Sequence, residues 1–389
     1  MRKLSLLALV LVLLLSACAP NFQKQDNVVK TEEKDEEKAI IPKYNISDNY
    51  YRTILPFVPG EARGLIVSNV NTRYDINEFE TGLMRIAQQS FDPKTYLFRE
   101  GQEIKRNTVR LWLNRKYTEQ QLAEKGVKAE NNIGLNPLLQ ESDDLKDSNN
   151  KSPIYLAHIL EHNYLIKGEN DDTVRLGGVV IGLALNSVYY YQTVKDGPVY
   201  ETKIDFSTME SEGKKIAQEV LNRLRATKNL KDVPITIALF EQQSKSSVVP
   251  GTFFTYTTVD KGSSTIDGWE PVDEKYFLFP STQAQESHRD DVTAFLNFKQ
   301  DVEKYFPNFN GVIGRAFYVG DQFQELNISI PIQFYGKSEA IGFVQYVTGL
   351  VLEHFPKYIS VSVSVTSVGG PEALIVRKAN ETEPFVHIY

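Results

Sequence analysis

The chain has a single cysteine, Cys18, among its 389 residues. That excludes a disulfide framework and any zinc or iron–sulfur site built on several thiolates. Positive charge is not in excess: 43 lysines and arginines face 50 aspartates and glutamates, for a net charge of −7. Nucleic-acid binders normally present a basic face, so no nucleic-acid partner is expected. No segment reaches the roughly twenty apolar residues of a membrane span. Walker A, Gly-x-Gly-x-x-Gly and Gly-x-Ser-x-Gly patterns are absent, and with them the usual marks of phosphate-loop, dinucleotide and serine-hydrolase chemistry. What is abundant is aromatic: 20 Tyr, 21 Phe and 2 Trp, too many for a disordered chain. The length suits two or three domains, each with its own core.

Arg2 and Lys3 precede an unbroken apolar run from Leu6 to Leu15. As a helix the run would rise about 15 Å, half of a ~30 Å hydrocarbon core. That is the length of a signal-peptide core. It ends in Leu15-Ser16-Ala17-Cys18, which resembles the bacterial lipobox, where small residues fit the signal peptidase and the cysteine thiol takes a diacylglyceryl group. An ordinary secretory signal with a chance cysteine is the competing reading, and the position of the sole cysteine argues against it. The expectation is a signal peptide over residues 1–17 and a mature chain anchored through Cys18 to the outer face of the bacterial cell membrane. Loss of Arg2 and Lys3 takes the net charge from −7 to −9, so the lipid, and not electrostatic attraction, would hold the chain to the membrane. Residues 18–49, centred on the charged stretch 31–38, read as a solvated tether with a reach of roughly 30 Å.

Beyond the tether, Asp75-Ile76-Asn77-Glu78 reads as a capping box opening a helix that carries Phe79, Leu83, Ile86 and Ala87. Residues 65–70 read as a strand, 108–113 fit either a strand or a helix, and 140–151 read as a polar loop. Ser152-Pro153 suits the start of a helix over 153–167. Strands near 177–191 and 199–206 follow. Ser207 and Glu210 form a second capping box before a helix with Ile216, Val220, Leu221 and Leu224, and strands come near 234–241 and 252–259. The order then recurs: a helix near 290–306, strands near 311–319 and 323–335, a helix near 337–355, and an alternating strand from Ile359 with a short final partner. Pro331 points to an edge position for its strand. The fold class expected is α+β, with two related αββαββ-type units and mainly antiparallel sheets. The domains would span residues 50–265 and 266–389.

Few residues nominate chemistry. His158-Ile159-Leu160-Glu161-His162 matches H-x-x-E-H, in which two histidines one helical turn apart bind zinc beside a glutamate base. No downstream motif supplies a third ligand, so a hydrogen-bonded histidine pair beside Glu161 is favoured. No metal or cofactor is expected. His354 sits near a helix C-terminus, where a capping role suits it. Ser211-Glu-Gly-Lys214 and Ser47-Asp-Asn49 match S-x-x-K and S-D-N in the wrong order, without a K-T-G. The charged set Arg63, Arg73, Asp75, Glu78, Glu80 and Arg85 is either a capping and ion-pair network around the first helix, which is favoured, or a polar groove lined by Arg63, Arg73, Asp75 and Arg85 whose arginines bind carboxylates of peptides or cell-wall fragments.

Several segments resemble one family. Glu61-Ala-Arg-Gly-Leu-Ile-Val-Ser-Asn-Val-Asn-Thr-Arg-Tyr-Asp75, Glu78-Phe-Glu80, Glu100-Gly-Gln102, Gly134-Leu-Asn-Pro137 and Gly182-Leu-Ala-Leu-Asn-Ser-Val-Tyr-Tyr-Tyr191 look like the CamS family of Gram-positive lipoproteins, the sex-pheromone precursors. The resemblance covers most of the chain after the tether. It implies a lipid anchor and a signal peptide that yields a short hydrophobic peptide, here residues 11–17, acting on other bacteria. It supplies no catalytic residues, so no enzyme is expected. Two further readings are an extracytoplasmic binding protein for a peptide, wall fragment or small solute, and, less favoured, a metal-dependent hydrolase on His158 and His162.

Overall fold

The computed structural model describes residues 36–47, 50–170, 172–305, 311–334 and 336–389. Cys18, its lipobox and most of the expected tether lie outside the described residues.

In chain order, β1 (Glu37–Lys38), β2 (Arg52–Thr53), α1 (Ile66–Asn69), α2 (Arg73–Ala87), β3 (Leu97–Glu100), α3 (Arg106–Leu113), α4 (Glu119–Lys125) and α5 (Leu145–Lys151) lead to a long hairpin. Its strands are β4 (Leu156–Lys167) and β5 (Thr173–Asn186). After these come β6 (Val188–Tyr191), β7 (Tyr200–Lys203), α6 (Phe206–Arg225), β8 (Ile235–Gln242), β9 (Thr252–Val259) and β10 (Glu270–Pro271). The second part holds β11 (Glu274–Phe279), α7 (Thr282–Ser287), α8 (Arg289–Tyr305), β12 (Ile313–Val319), β13 (Gln322–Pro331), α9 (Lys337–His354), β14 (Ser360–Ser367), β15 (Gly370–Arg377) and β16 (Phe385–Ile388). The fold is mixed α+β. The strands make one sheet in the order β10-β9-β8-β5-β4-β3-β2, with β1 beside β5, and a second in the order β11 to β16. A two-stranded ribbon, β6-β7, completes them. Three pairings are parallel (β2 with β3, β5 with β8, β13 with β14) and the rest are antiparallel.

Strand β5 is apolar on both faces, which a parallel neighbour and helices on each side allow. Val179, Ile181, Leu183 and Leu185 pack with Met209, Ile216, Val220 and Leu221 of α6 and with Trp112 of α3. Val180 and Ala184 pack under Phe79, Leu83 and Ile86 of α2 on the other face. A Cβ at Gly178 would lie 2.2 Å from the Phe91 ring, so only glycine lets that ring rest on the strand. In the second sheet α8 and α9 cover one face, where Phe295, Phe298, Phe343 and Val347 meet Leu326, Ile328, Val361 and Val363.

Several sequence expectations are corrected. Residues 153–167 are not a helix: β4 pairs with β5 from Leu156–Leu185 to Lys167–Val174, and with β3 over four residues. An i, i+4 spacing puts residues on one face of a helix and also of a strand, so the apolar arc read as helical fits a strand equally. The first stretch therefore does not follow the αββαββ order. Residues 65–70 form a helical turn instead of a strand, 108–113 belong to helix α3, and the polar loop contains α5. Helix α2 is capped by Thr72, whose hydroxyl accepts from the Asp75 amide, which leaves Asp75 and Glu78 for other contacts. Asp205, not Ser207, stands at the N-terminus of α6. Pro331 ends β13, which lies inside its sheet between β12 and β14. The end of the expected tether is not all solvated: Ala39 is buried, and its amide donates to the Asp172 carbonyl at 2.8 Å.

In the second sheet the chain ends of α9 are collected by one buried arginine. The Arg377 guanidinium, fully buried, donates to the carbonyls of Phe355 at 3.0 Å and Pro356 at 2.5 Å. Substituting Arg377→Leu should lower the free energy of unfolding by about 2–4 kcal/mol, because these carbonyls would stay buried without a donor. Denaturant midpoints of the two proteins measure the loss, and equal midpoints would contradict it.

Candidate functional site

Strand β3 stops at Glu100, opposite His162, whereas β4 continues back to Leu156. The gap beside β4 is filled by a loop and by a cavity. The loop, residues 101–104, wraps the Glu161 carboxylate: the amides of Gln102, Glu103 and Ile104 donate to it at 3.1, 3.0 and 2.7 Å, and the Asn163 side chain at 2.6 Å. Burial pushes the Glu161 carboxyl up, and these donors oppose that push. A Cβ on Gly101 would meet the Glu161 side chain at 2.5 Å, so the loop needs glycine there. The glutamate of the H-x-x-E-H motif is thus a loop anchor with its lone pairs already taken.

The cavity has a volume of about 190 Å³, slightly above one that holds benzene-sized guests. Its apolar wall includes Ile66, Met84, Phe98 and Ile104, and its polar groups are His158, His162, Glu80, Glu100 and Arg63. Four residues of extended chain separate the two histidines, about 13 Å between Cα atoms. A zinc ion needs its nitrogens at about 2.0–2.1 Å, so the pair does not share one. Among the described residues no group of three or more His, Cys, Asp or Glu side chains could hold a metal.

Burial lowers both imidazoles, His158 to about 4 and His162 to about 3, so both are neutral at pH 7. His158 Nδ1 lies 3.2 Å from the Asn69 amide. His162 meets the Phe98 ring edge-on at 5.0 Å, and its Nδ1 has no hydrogen-bond partner. At the mouth, Glu100 accepts from the Gly60 amide at 2.6 Å and lies 3.7 Å from Arg63. The Glu80 carboxyl is raised by burial and by Glu100, with Arg63 acting against both. The arrangement offers apolar contact and neutral hydrogen-bonding nitrogens, without an activated nucleophile.

The four residues expected to line one groove are dispersed. Arg63 is at the cavity mouth and Arg73 is exposed in the first turn of α2. Asp75 is buried and accepts from the Gly251 amide at 2.7 Å, tying α2 to the β8–β9 connection. Burial raises its carboxyl, and the donated amide bonds pull it back. Arg85 joins the two sheets: it lies 2.5 Å from Glu78 and 2.7 Å from Glu274, while the Tyr276 hydroxyl donates to Glu78 at 2.6 Å. The structural reading of this charged set holds for Asp75, Glu78 and Arg85. Sequence reasoning did not nominate Asn69 or Phe98, because both depend on 156–167 being a strand. That segment is buried on both faces, so its sequence carries no alternation of polar and apolar residues that would have revealed the strand.

A mixed two-sheet α+β protein with a small cavity lined by two neutral imidazoles is the class these features define. The chain belongs to the CamS family: the family described as "CamS sex pheromone cAM373 precursor" matches residues 57–383. Two solved structures are similar to it. The C-terminal domain of the sex pheromone staph-cAM373 precursor from Staphylococcus aureus shares 34% identity, with a TM-score of 0.72, over 82% of this chain and 98% of that one. A sex pheromone precursor from Lactobacillus salivarius shares 30% identity, with a TM-score of 0.80, over 90% of this chain and 99% of that one. No curated protein matches.

The buried imidazoles make a pH prediction. Unfolded, each titrates near pH 6.5; folded, near 4 and 3. The unfolded chain therefore takes up protons first, and the stability these groups permit is lost as pH falls from 6.5 toward 3. Buried carboxyls with raised values act in the opposite sense at lower pH, so a variant isolates the imidazole share. His162→Phe, which keeps the aromatic contact and removes an unpaired nitrogen, should match or exceed the parent in stability at pH 7. Between pH 6.5 and 4 it should lose on the order of 3 kcal/mol less than the parent. Urea unfolding at several pH values measures both, and parallel pH profiles would refute the assignment.

Proposed function

We propose that the chain is a lipid-anchored precursor on the outer face of the cell membrane, with Cys18 as the first mature residue. The leader, residues 1–17, is removed, and residues 11–17 are released as a short apolar signalling peptide. Family membership supports this reading, and the observation that carries it is the sole cysteine standing directly after Leu15-Ser16-Ala17. Residues 18–49 link the anchor to two domains, 50–265 and 266–389. No helix among the described residues is long and apolar enough to cross a membrane. Seven uncharged residues partition readily to a membrane and into an apolar receptor groove, and cleavage frees them without unfolding anything.

The mature body acts as a binding module and not as an enzyme. Support comes from the cavity with its neutral imidazoles, which suits a small, largely apolar guest.

Cys18→Ala should leave the chain as uncleaved precursor or release it from the membrane fraction. Replacing residues 1–17 by an unrelated lipoprotein leader should keep the anchored body and abolish signalling, which the synthetic peptide 11–17 restores. Membrane fractionation and a recipient-response assay read the two outcomes. Normal processing of Cys18→Ala would refute the anchor, and persistent signalling from the leader-swapped strain would assign the activity to the body.

A further inference from the structure

We propose that a second, wider cleft on the same side of β4 binds a saccharide that carries a carboxylate. The cleft has a volume of about 690 Å³ and is formed by α1, α3, β6, the start of β4 and the segment after β8. That volume falls within the 300–1,000 Å³ of small-ligand sites.

Its charge is the first observation. The chain has 50 acidic residues and a net charge of −7, yet no aspartate or glutamate lines this cleft. Two cations do: Arg110 on α3 and Lys245 after β8. Neither makes an ion pair among the described residues. Lys245 is placed by the Tyr190 ring, 4.6 Å from its ammonium. Two cations lining one cleft without a carboxylate create a local positive potential in an otherwise acidic protein, and an anionic ligand relieves it.

Hydrogen-bonding groups are the second. Four asparagines line the cleft: Asn69, Asn71, Asn114 and Asn186. Asn186 is tied down, its amide donating to the Ile154 carbonyl at 2.9 Å and its oxygen accepting from Gln242 at 2.5 Å. Asn71 donates to the Gln243 carbonyl at 2.8 Å, which fixes the side chain and leaves its oxygen toward other partners. Asn114, at the C-terminal end of α3, makes no side-chain hydrogen bond among the described residues. The free oxygen of the fixed Asn71 and the side chain of Asn114 offer an acceptor and a donor-acceptor pair that match the vicinal hydroxyls and acetamido groups of a sugar. Leu113, Ile154 and Leu156 give the apolar floor that the C–H face of a pyranose ring can cover. A bare phosphate would use the cations and leave this surface unpaired; a neutral sugar would leave the cations unpaired. A carboxylated saccharide uses both.

The site is separate from the smaller cavity, though one hydrogen bond, from Asn69 to His158 at 3.2 Å, links their walls. It does not depend on the lipid anchor.

The test is calorimetric titration of the full chain, purified in detergent, with three probes: N-acetylmuramic acid, N-acetylglucosamine without the carboxylate, and N-acetylalanine without the ring. N-acetylmuramic acid should bind saturably and at least about tenfold more tightly than either comparison probe, as expected for loss of one charged contact or of the ring contacts. Arg110→Gln with Lys245→Gln, both exposed and unpaired, should keep the parent melting temperature and weaken N-acetylmuramic acid by about tenfold or more. Equal binding of N-acetylglucosamine would overturn the carboxylate, and equal binding of N-acetylalanine would overturn the saccharide. Absence of saturable binding, or unchanged affinity in the folded double variant, would overturn the site.

Discussion

Strand β5 is apolar on both faces, and the rest of the first sheet is arranged to cover it. Helix α6 takes one face with Ile216, Val220 and Leu221, and α2 takes the other with Phe79 and Leu83. Burying side chains of this size contributes roughly 1.5–3 kcal/mol each, so the double coverage is the largest favourable term in that part of the molecule. Once α2 lies on β5, one flank of the helix is turned toward the second sheet. Glu78 is buried there, with Arg85, Glu274 and Tyr276 half-buried around it. Burial pushes the Glu78 carboxyl up and Arg85 opposes it; the guanidinium itself is held above its ordinary value by Glu274 and Glu78 despite its burial. Such a network adds little net stability over an apolar contact of the same shape, but losing one partner leaves the others buried without compensation.

The same economy of partners governs the cavity. Glu161 could have been a base beside two histidines, but three backbone amides and Asn163 occupy its oxygens. Desolvation leaves His158 and His162 neutral, which deprives them of acid chemistry near neutral pH. Around this cavity the fold thus fixes the carboxylate of Glu161 and leaves the two imidazoles uncharged.

Much of the fold was legible in the sequence, and the failures share a cause. Helices α6, α8 and α9 and the alternating strand β14 came from periodicity longer than ten residues or from strict alternation, where one reading dominates. Segment 156–167 failed because His158 and His162, like Ile154 and His158, are four apart, a spacing that helices and strands share. Its burial on both faces removed the polar half that would have revealed a period of two. The caps were misplaced by three and two residues: the sequence suggested Asp75 and Ser207, but Thr72 and Asp205 stand at the helix starts. Which charged residues converge was not legible at all. Arg85 meets Glu274, 189 positions away, and no local pattern encodes that pairing.

The docked end of the expected tether has a mechanical meaning. Strand β1 joins β5 through only two residue pairs, Glu37 with Val174 and Lys38 with Thr173, reinforced by the ion pair of Glu37 with Arg99. In a chain held at its N-terminal end, any pull on the body passes first through this short ladder. Two rungs yield long before an eight-residue pairing such as β5 with β8 is disturbed. The ladder would thus act as a fuse, lengthening the leash under load while the sheet and its two recesses keep their shape.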